Sequence, residues 1–290
     1  MEAQNCRVDR RAMVKSSVFG LLAVSLPNVV YAGTGLNKKS RMPLRQAGPN
    51  SSFPNIDPEI VSSVVGASHF DLEKVKELVD KRPELARANW EWRFGDWESA
   101  IGAASHVGRR DIVFYLMDKG ARPSIFTFAM LGAYDVVKSM IEFQPGIQKT
   151  MGPHGISLLQ HAKTGSRMQD TMSSTAQDNL KRLVDYLEAL GDADGETYLD
   201  VSPKEQEKYL GDYKYGDGPE DGFRIQLNMR KMLALGPIGG FGGALYKIGE
   251  HKFTYNGAPS VVIAFEVENG AVQSLTVHDP EITITAMKIK

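Results

Sequence analysis

Between Glu98 and Ser124 the apolar positions fall on two helical faces separated by glycine. Ser99, Ala100, Ile101, Ala103 and Ala104 predict a thin helix of small residues that a neighbour can approach closely. Gly108 interrupts it, and Asp111 opens a second helix with Ile112, Val113, Leu116 and Met117 on one face. Gly120 suits the left-handed residue that ends a helix, and Pro123 stops it from restarting. Such a pair cannot bury its own apolar face, so copies are expected beside it. The second helix recurs as Val75, Leu78 and Val79, as Val137, Met140 and Ile141, and as Val184 and Leu187. First-helix partners are expected over Val61–Ala67, Ile125–Met130 and Ile156–Ala162, and Asp57-Pro58-Glu59 reads as the first helix start.

Past Gly191-Asp192-Ala193-Asp194 the period changes from 3.6 to 2. Phe223 to Leu227, Val261 to Phe265 and Ile282 to Ala286 alternate, and Met232 to Leu235, Lys252 to Tyr255 and Val272 to Val277 add shorter strands. Glycine-bearing turns separate them, so six to eight antiparallel strands are expected to close into a small barrel or sandwich. The fold class is therefore α + β in two domains, helical over 57–195 and β over 203–290.

The small-residue helix, glycine turn, amphipathic helix and Gly-Ala-x-Pro exit resemble an ankyrin repeat, as does His154–Gly165, HGISLLQHAKTG. The matched valines, Val75, Val113, Val137 and Val184, stand 38, 24 and 47 residues apart, against about 33 in regular arrays. Insertions at Asn89–Trp97 and Gly165–Gln177 account for the long spacings, and a shortened third repeat for the short one. The resemblance implies an α-solenoid with a concave face and finger loops that bind a protein partner. Leu210-Gly211-Asp212-Tyr213 and the strands after it, from about Pro203 onward, resemble the lipocalin-like β domain that follows the catalytic part of serine β-lactamase-like hydrolases. No Ser-x-x-Lys occurs in the chain, so the acyl chemistry of that family is not carried over.

The N-terminus adds an address. Arg10-Arg11 precedes an apolar run from Val18 to Leu26 and a small-x-Ala end at Val30-Tyr31-Ala32. This describes a signal peptide over 1–32 that resembles the bacterial twin-arginine type. The apolar run is shorter than the ~20 residues a bilayer span needs. The expectation is an exported chain, periplasmic or secreted, free of the membrane after cleavage. Residues 33–56, without periodicity, read as a disordered linker. Cys6, the chain's one cysteine, would leave with the signal. A net charge of −1 gives no footprint for nucleic acid.

Candidate chemistry concentrates in the Asn89–Trp97 insertion, which holds all 3 tryptophans. Aromatic residues interleaved with charge have the composition of a binding hot spot. Trp90, Trp92, Arg93, Phe94, Trp97 and Glu98, with His106 from an inner helix, are the expected partner contacts. The alternative is that the tryptophans fold back as a cap. His69, His106, His154 and His161 lie near inner-helix ends or in turns, where a histidine commonly bonds the neighbouring turn. A metal or catalytic role requires two or three of them to converge on a carboxylate such as Glu98 or Asp96. No spacing motif forces that, so no catalytic residue, metal or cofactor is assigned. Gly236–Gly243 lacks the order of a phosphate loop and reads as a hairpin. Phe253, Phe265, Ile225 and Leu275 are expected to fill the barrel, the alternative being a small apolar ligand. The leading expectation is a non-catalytic protein-binding module. The alternative is a hydrolase or small-ligand binder whose site lies by the aromatic loop or the repeat–barrel junction, with His69, His106 and Glu98 as acid/base candidates.

Overall fold

A computed structural model describes residues 53–256 and 258–289. The expected signal, 1–32, and most of the linker, 33–56, lie outside them. Helix starts are set by small polar caps. Asp57 accepts from the Glu59 amide at 2.9 Å ahead of Pro58 and opens α1 (Pro58–Ala67). Asp71 accepts from the Lys74 amide and opens α2 (Leu72–Lys81). Ser99 does the same for α3 (Ala100–His106) and Ser157 for α7 (Leu158–Thr164). Between them run α4 (Arg110–Asp118), α5 (Ile125–Leu131) and α6 (Tyr134–Phe143), and α8 (Ser174–Leu190) follows.

Successive helices pack in pairs and the pairs on each other: α1 against α2 and α3, α3 against α4 and α5, α5 against α6 and α7, and α7 against α8. Small side chains permit this, since every residue of α3 from Ala100 to Ser105 is buried. Val75, Val113 and Val137 are fully buried, but in α8 the register expected from Val184 is one residue off. Leu180, Leu183 and Leu187 form the buried stripe and Val184 is only half-buried. Spaced i, i+3, i+7, the leucines present more apolar area than valine, and their face turns inward.

The β half is a closed barrel of eight antiparallel strands. These are β3 (Gly211–Lys214), β4 (Gly222–Leu227), β5 (Leu233–Pro237), β6 (Gly243–Gly249), β7 (Lys252–Tyr255), β8 (Ala258–Glu268), β9 (Ala271–His278) and β10 (Thr283–Lys288). The strands pair in chain order, and β10 closes on β3. Inward positions are filled: Tyr213, Phe253, Ile263 and Leu275 are fully buried, with Ile225 and Phe265 nearly so. A helix the alternation did not suggest, α9 (Pro203–Tyr209), precedes β3 and buries only Tyr209. That ring packs 4.6 Å from Phe265 and 5.2 Å from Phe253, so the barrel interior is a side-chain core.

The aromatic insertion is a hairpin of β1 (Asn89–Glu91) and β2 (Trp97–Ser99), with Trp90 opposite Glu98. It lies between the two halves, which belong to one compact unit, Pro49–Lys290. Trp90 and Trp92 pack on the helical core. Phe94 packs on the barrel core, 4.9 Å from the Tyr255 ring. Tyr246 of β6 donates to the Gly155 carbonyl at 3.1 Å, and Arg93 to the Phe241 carbonyl at 3.2 Å. Among the described residues no helix is long and apolar enough to cross a membrane.

Replacing a ring at the centre of the barrel should leave a void that small neighbours cannot fill. Phe253→Ala is expected to lower unfolding free energy by about 3–5 kcal/mol, measured by urea denaturation.

Candidate metal centre

The hairpin delivers a carboxylate to the interior. Glu98 follows Trp97 on β2, and alternation along the strand turns Trp97 out, 66% exposed, and Glu98 in, 1% exposed. An unpaired buried carboxylate is unfavourable by several kcal/mol, so its neighbours decide whether the hairpin can form. Trp92, on the same hairpin, donates its indole N–H to Glu98 Oε2 at 2.7 Å. Three imidazoles supply the rest. His69, just past α1, places Nε2 at 3.4 Å from Oε2. His106, the last residue of α3, places Nε2 at 3.0 Å from Oε1. His154, in the turn before α7, places Nε2 at 3.3 Å from Oε1. One donor atom from each of His69, Glu98, His106 and His154 lies within 4.8 Å of all the others.

Two of the rings are oriented from behind. His69 Nδ1 is 3.0 Å from the Gly66 carbonyl, which can only accept, so Nδ1 carries the proton. His154 Nδ1 is 2.7 Å from Asp96 Oδ2 and donates to that carboxylate. Both arrangements turn Nε2 toward Glu98, and once that nitrogen is deprotonated each ring has the tautomer of a metal-ligating histidine with its outer carbonyl or carboxylate. Asp96 is itself held. Oδ1 accepts from the His154 amide at 2.9 Å, and Oδ2 also accepts from the Asn256 side chain of the barrel at 2.6 Å. His154 has φ 60°, Asn256 φ 47° and Phe94 φ 53°. Each such left-handed residue is unfavourable by roughly 1–3 kcal/mol, and the three surround Asp96. Gly155, at φ 63°, lets the turn pass against the barrel: a Cβ there would lie 2.5 Å from the Asn256 carbonyl.

Hydrogen bonds alone do not satisfy the cluster. Glu98 Oε1 and His106 Nε2 are buried and 3.0 Å apart, yet neither has a partner in hydrogen-bonding alignment. His161 Nε2, buried in α7, is also unpaired. A buried polar atom without a partner is unfavourable by about 1–3 kcal/mol, so three in one neighbourhood mark a place for a cation or a donor. Burial would raise the Glu98 carboxyl, but His106 and His154 outweigh it and hold it well below the usual carboxylate range. Burial pushes His106 down against the pull of Glu98. For His154 burial is outweighed by Asp96 and Glu98, which push it up to about 10. The two carboxylates thus draw a proton to this point, and a bound cation would displace it. Burial lowers His161 to about 4, so its ring is neutral at ordinary pH.

A groove of ≈ 370 Å³ is lined by Asp96, Trp97, Phe126, Gly152, Pro153 and Asn256 among others, and it meets the cluster through Asp96 rather than through any of the four converging residues. His69 and His154 keep 22% and 27% of their side-chain surface exposed, so the cluster is not sealed.

Of the seven expected partner contacts, Trp97 and Arg93 are exposed, and Trp90, Trp92 and Phe94 are half-buried against the two cores. Glu98 and His106 face inward and cannot meet a partner, because the strand alternation and the end of α3 aim both at the cluster. The convergence set as the condition for a metal or catalytic role is met by His69, His106 and His154 on Glu98. Asn256 is not among the residues the sequence singles out, and nothing local in the chain signals its bond to Asp96.

Asp96→Ala removes three hydrogen bonds and frees a left-handed His154. Urea unfolding should register a loss of roughly 1.5–3 kcal/mol, with Asp96→Asn milder because it keeps an acceptor. Comparison of the chain with protein-family models, with curated proteins and with solved structures gives no match in any of the three.

Proposed function

We propose that this chain is a metalloprotein in which His69, His106, His154 and Glu98 hold a divalent first-row transition cation that serves metal-assisted hydrolysis. One observation carries the reading: three imidazole nitrogens and a carboxylate converge within 4.8 Å while buried Glu98 Oε1 and His106 Nε2 lack aligned partners. Convergent lone pairs repel one another unless a cation or a shared proton lies between them. Imidazole-rich sets with one carboxylate suit Zn²⁺, Fe²⁺, Co²⁺, Ni²⁺ or Cu²⁺ rather than Ca²⁺ or Mg²⁺. In a coordination shell larger than four, such a set leaves room for water, whose pKa a metal can bring to about 7, making a nucleophile at neutral pH. The adjoining groove and the exposed edges of His69 and His154 offer an approach for a small substrate. It shares with the hydrolase alternative of the sequence a site by the aromatic loop or the repeat–barrel junction, but makes His69, His106 and Glu98 metal ligands where that alternative gave them acid/base roles.

The remaining sequence expectations fit around that centre. We read the paired helices as an ankyrin-like stack and the barrel as lipocalin-like. We take the chain to be exported, the Arg10-Arg11 segment being its address. Partner binding is a second reading, favoured by Trp97 at 66% exposure on the hairpin rim. On that view the metal stiffens a finger whose tip meets a protein.

Dialysis of the full chain against Zn²⁺ or Co²⁺ and elemental analysis should give about one ion per chain. Glu98→Gln and His106→Ala should each weaken binding 100-fold or more in calorimetry. A wild-type chain that takes up no ion while folded overturns the metal centre. Ion uptake without chelator-sensitive hydrolysis of 4-nitrophenyl acetate, a probe ester, favours the structural role.

A further inference from the structure

His161 lies next to the cluster but is not one of its four converging donors. It is fully buried in α7, and its Nδ1 lies 2.8 Å from the Ser157 carbonyl one turn earlier. A carbonyl only accepts, so Nδ1 carries the proton and Nε2 presents a lone pair. That lone pair has no partner.

Neighbouring polar groups are engaged elsewhere. The Ser157 hydroxyl donates to Asp194 at 2.6 Å, and the Gln160 amide donates to the same carboxylate at 3.2 Å. The Gly152 N–H is used by the Ile156 carbonyl at 2.9 Å. Meanwhile the Cε1–Nε2 edge is given room. A Cβ on Gly152 would stand 2.8 Å from Cε1 and 3.3 Å from Nε2, so glycine is what allows the imidazole to sit there. That edge therefore faces the Gly152-Pro153-His154 turn, which carries a ligand of the centre. The ring centre lies 6.4 Å from that of His106 and 4.9 Å from that of Phe126. Phe126 and Gly152 both line the groove. What meets Nε2 must be a hydrogen-bond donor, small enough to lie among these groups.

We propose that His161 Nε2 accepts a hydrogen bond from a water bound to the metal, so that the centre consists of four protein ligands and one water held from the second layer. This rests on the metal reading above and adds to it a defined place for the exchangeable ligand. A hydrogen bond to a group on a charged centre is stronger than one between neutral partners. Removing the acceptor should therefore loosen the water and let a competing anion replace it more readily, while the four ligands still retain the metal.

The test uses the full chain loaded with Co²⁺, with azide as the competing ligand followed by visible absorption. His161→Phe keeps a flat ring of similar size without the lone pair. It should retain one Co²⁺ per chain and bind azide about tenfold more tightly than wild type. His161→Gln, which restores an oxygen acceptor, should return azide affinity to within about threefold of wild type. If the Phe variant does not fold, His161→Asn, too short to reach the same point, takes its place against Gln. Equal azide affinity in all variants at full cobalt loading overturns this proposal and leaves the metal centre standing. A folded Phe variant that loses cobalt also overturns it, since His161 is then itself a ligand. Failure of the wild type to take up cobalt is a different result and overturns the centre and this proposal together.

Discussion

Burial of the Glu98 carboxylate is the constraint around which the junction is built. A charge taken out of water is tolerable only where the fold returns comparable interactions, and those come from four separate places in the chain. The indole N–H of Trp92 comes from the same hairpin, His69 from the turn within the first helix pair, His106 from the corresponding point of the second and His154 from a turn beyond the fifth and sixth helices. The three imidazoles reach Glu98 because α1 and α3 lie side by side and α7 packs onto α5. The cluster and the stacking are one requirement seen twice, since misplacing any helix strands a charge.

Asp96 does for the two halves what Glu98 does for the helices. Its carboxylate joins His154 of the helical half to Asn256 of the barrel, both in left-handed conformations that favour glycine. The Tyr246 bond to the Gly155 carbonyl fastens the same turn one residue later. The barrel itself packs Tyr209, Tyr213, Phe253 and their neighbours in its core. Its contribution lies at the rim, where it fixes the backbone that carries one imidazole.

The elements were legible because their signals are local. Asp57-Pro58-Glu59 starts a helix by capping, Gly120 ends one by adopting φ 87°, and alternation from Val261 to Phe265 places three residues of five inward. The α9 helix was not legible, because Pro203 to Lys208 carries no apolar period and only Tyr209 is buried. The centre was legible only as a list of candidates. His69, Glu98, His106 and His154 share no spacing motif, because packing of helices far apart in the chain is what brings them together. One signal was present: His69 and His106 both stand at the end of the first helix of a pair, and α1 packs on α3, which brings the two rings to 4.9 Å. Glu98 was expected on the surface because the hairpin's charges were weighed together, whereas strand alternation sends Trp97 and Glu98 to opposite faces.

Placement of so many groups on one hairpin links binding to local order. Trp92, Asp96 and Glu98 lie within seven residues, and the turn between them contains Phe94 and Gly95, both at positive φ. The strands on either side are short, β1 and β2 being only three residues each. Its conformation is fixed from outside, by Glu98 among the histidines and Phe94 against Tyr255. A cation at the centre would bind only the ordered hairpin, so its binding free energy would become folding free energy for this segment. The rim that carries Trp97, and the groove beside it, would then take their shape from the occupancy of the centre, and hydrolysis at the metal and recognition at the rim would be two readouts of the same buried carboxylate.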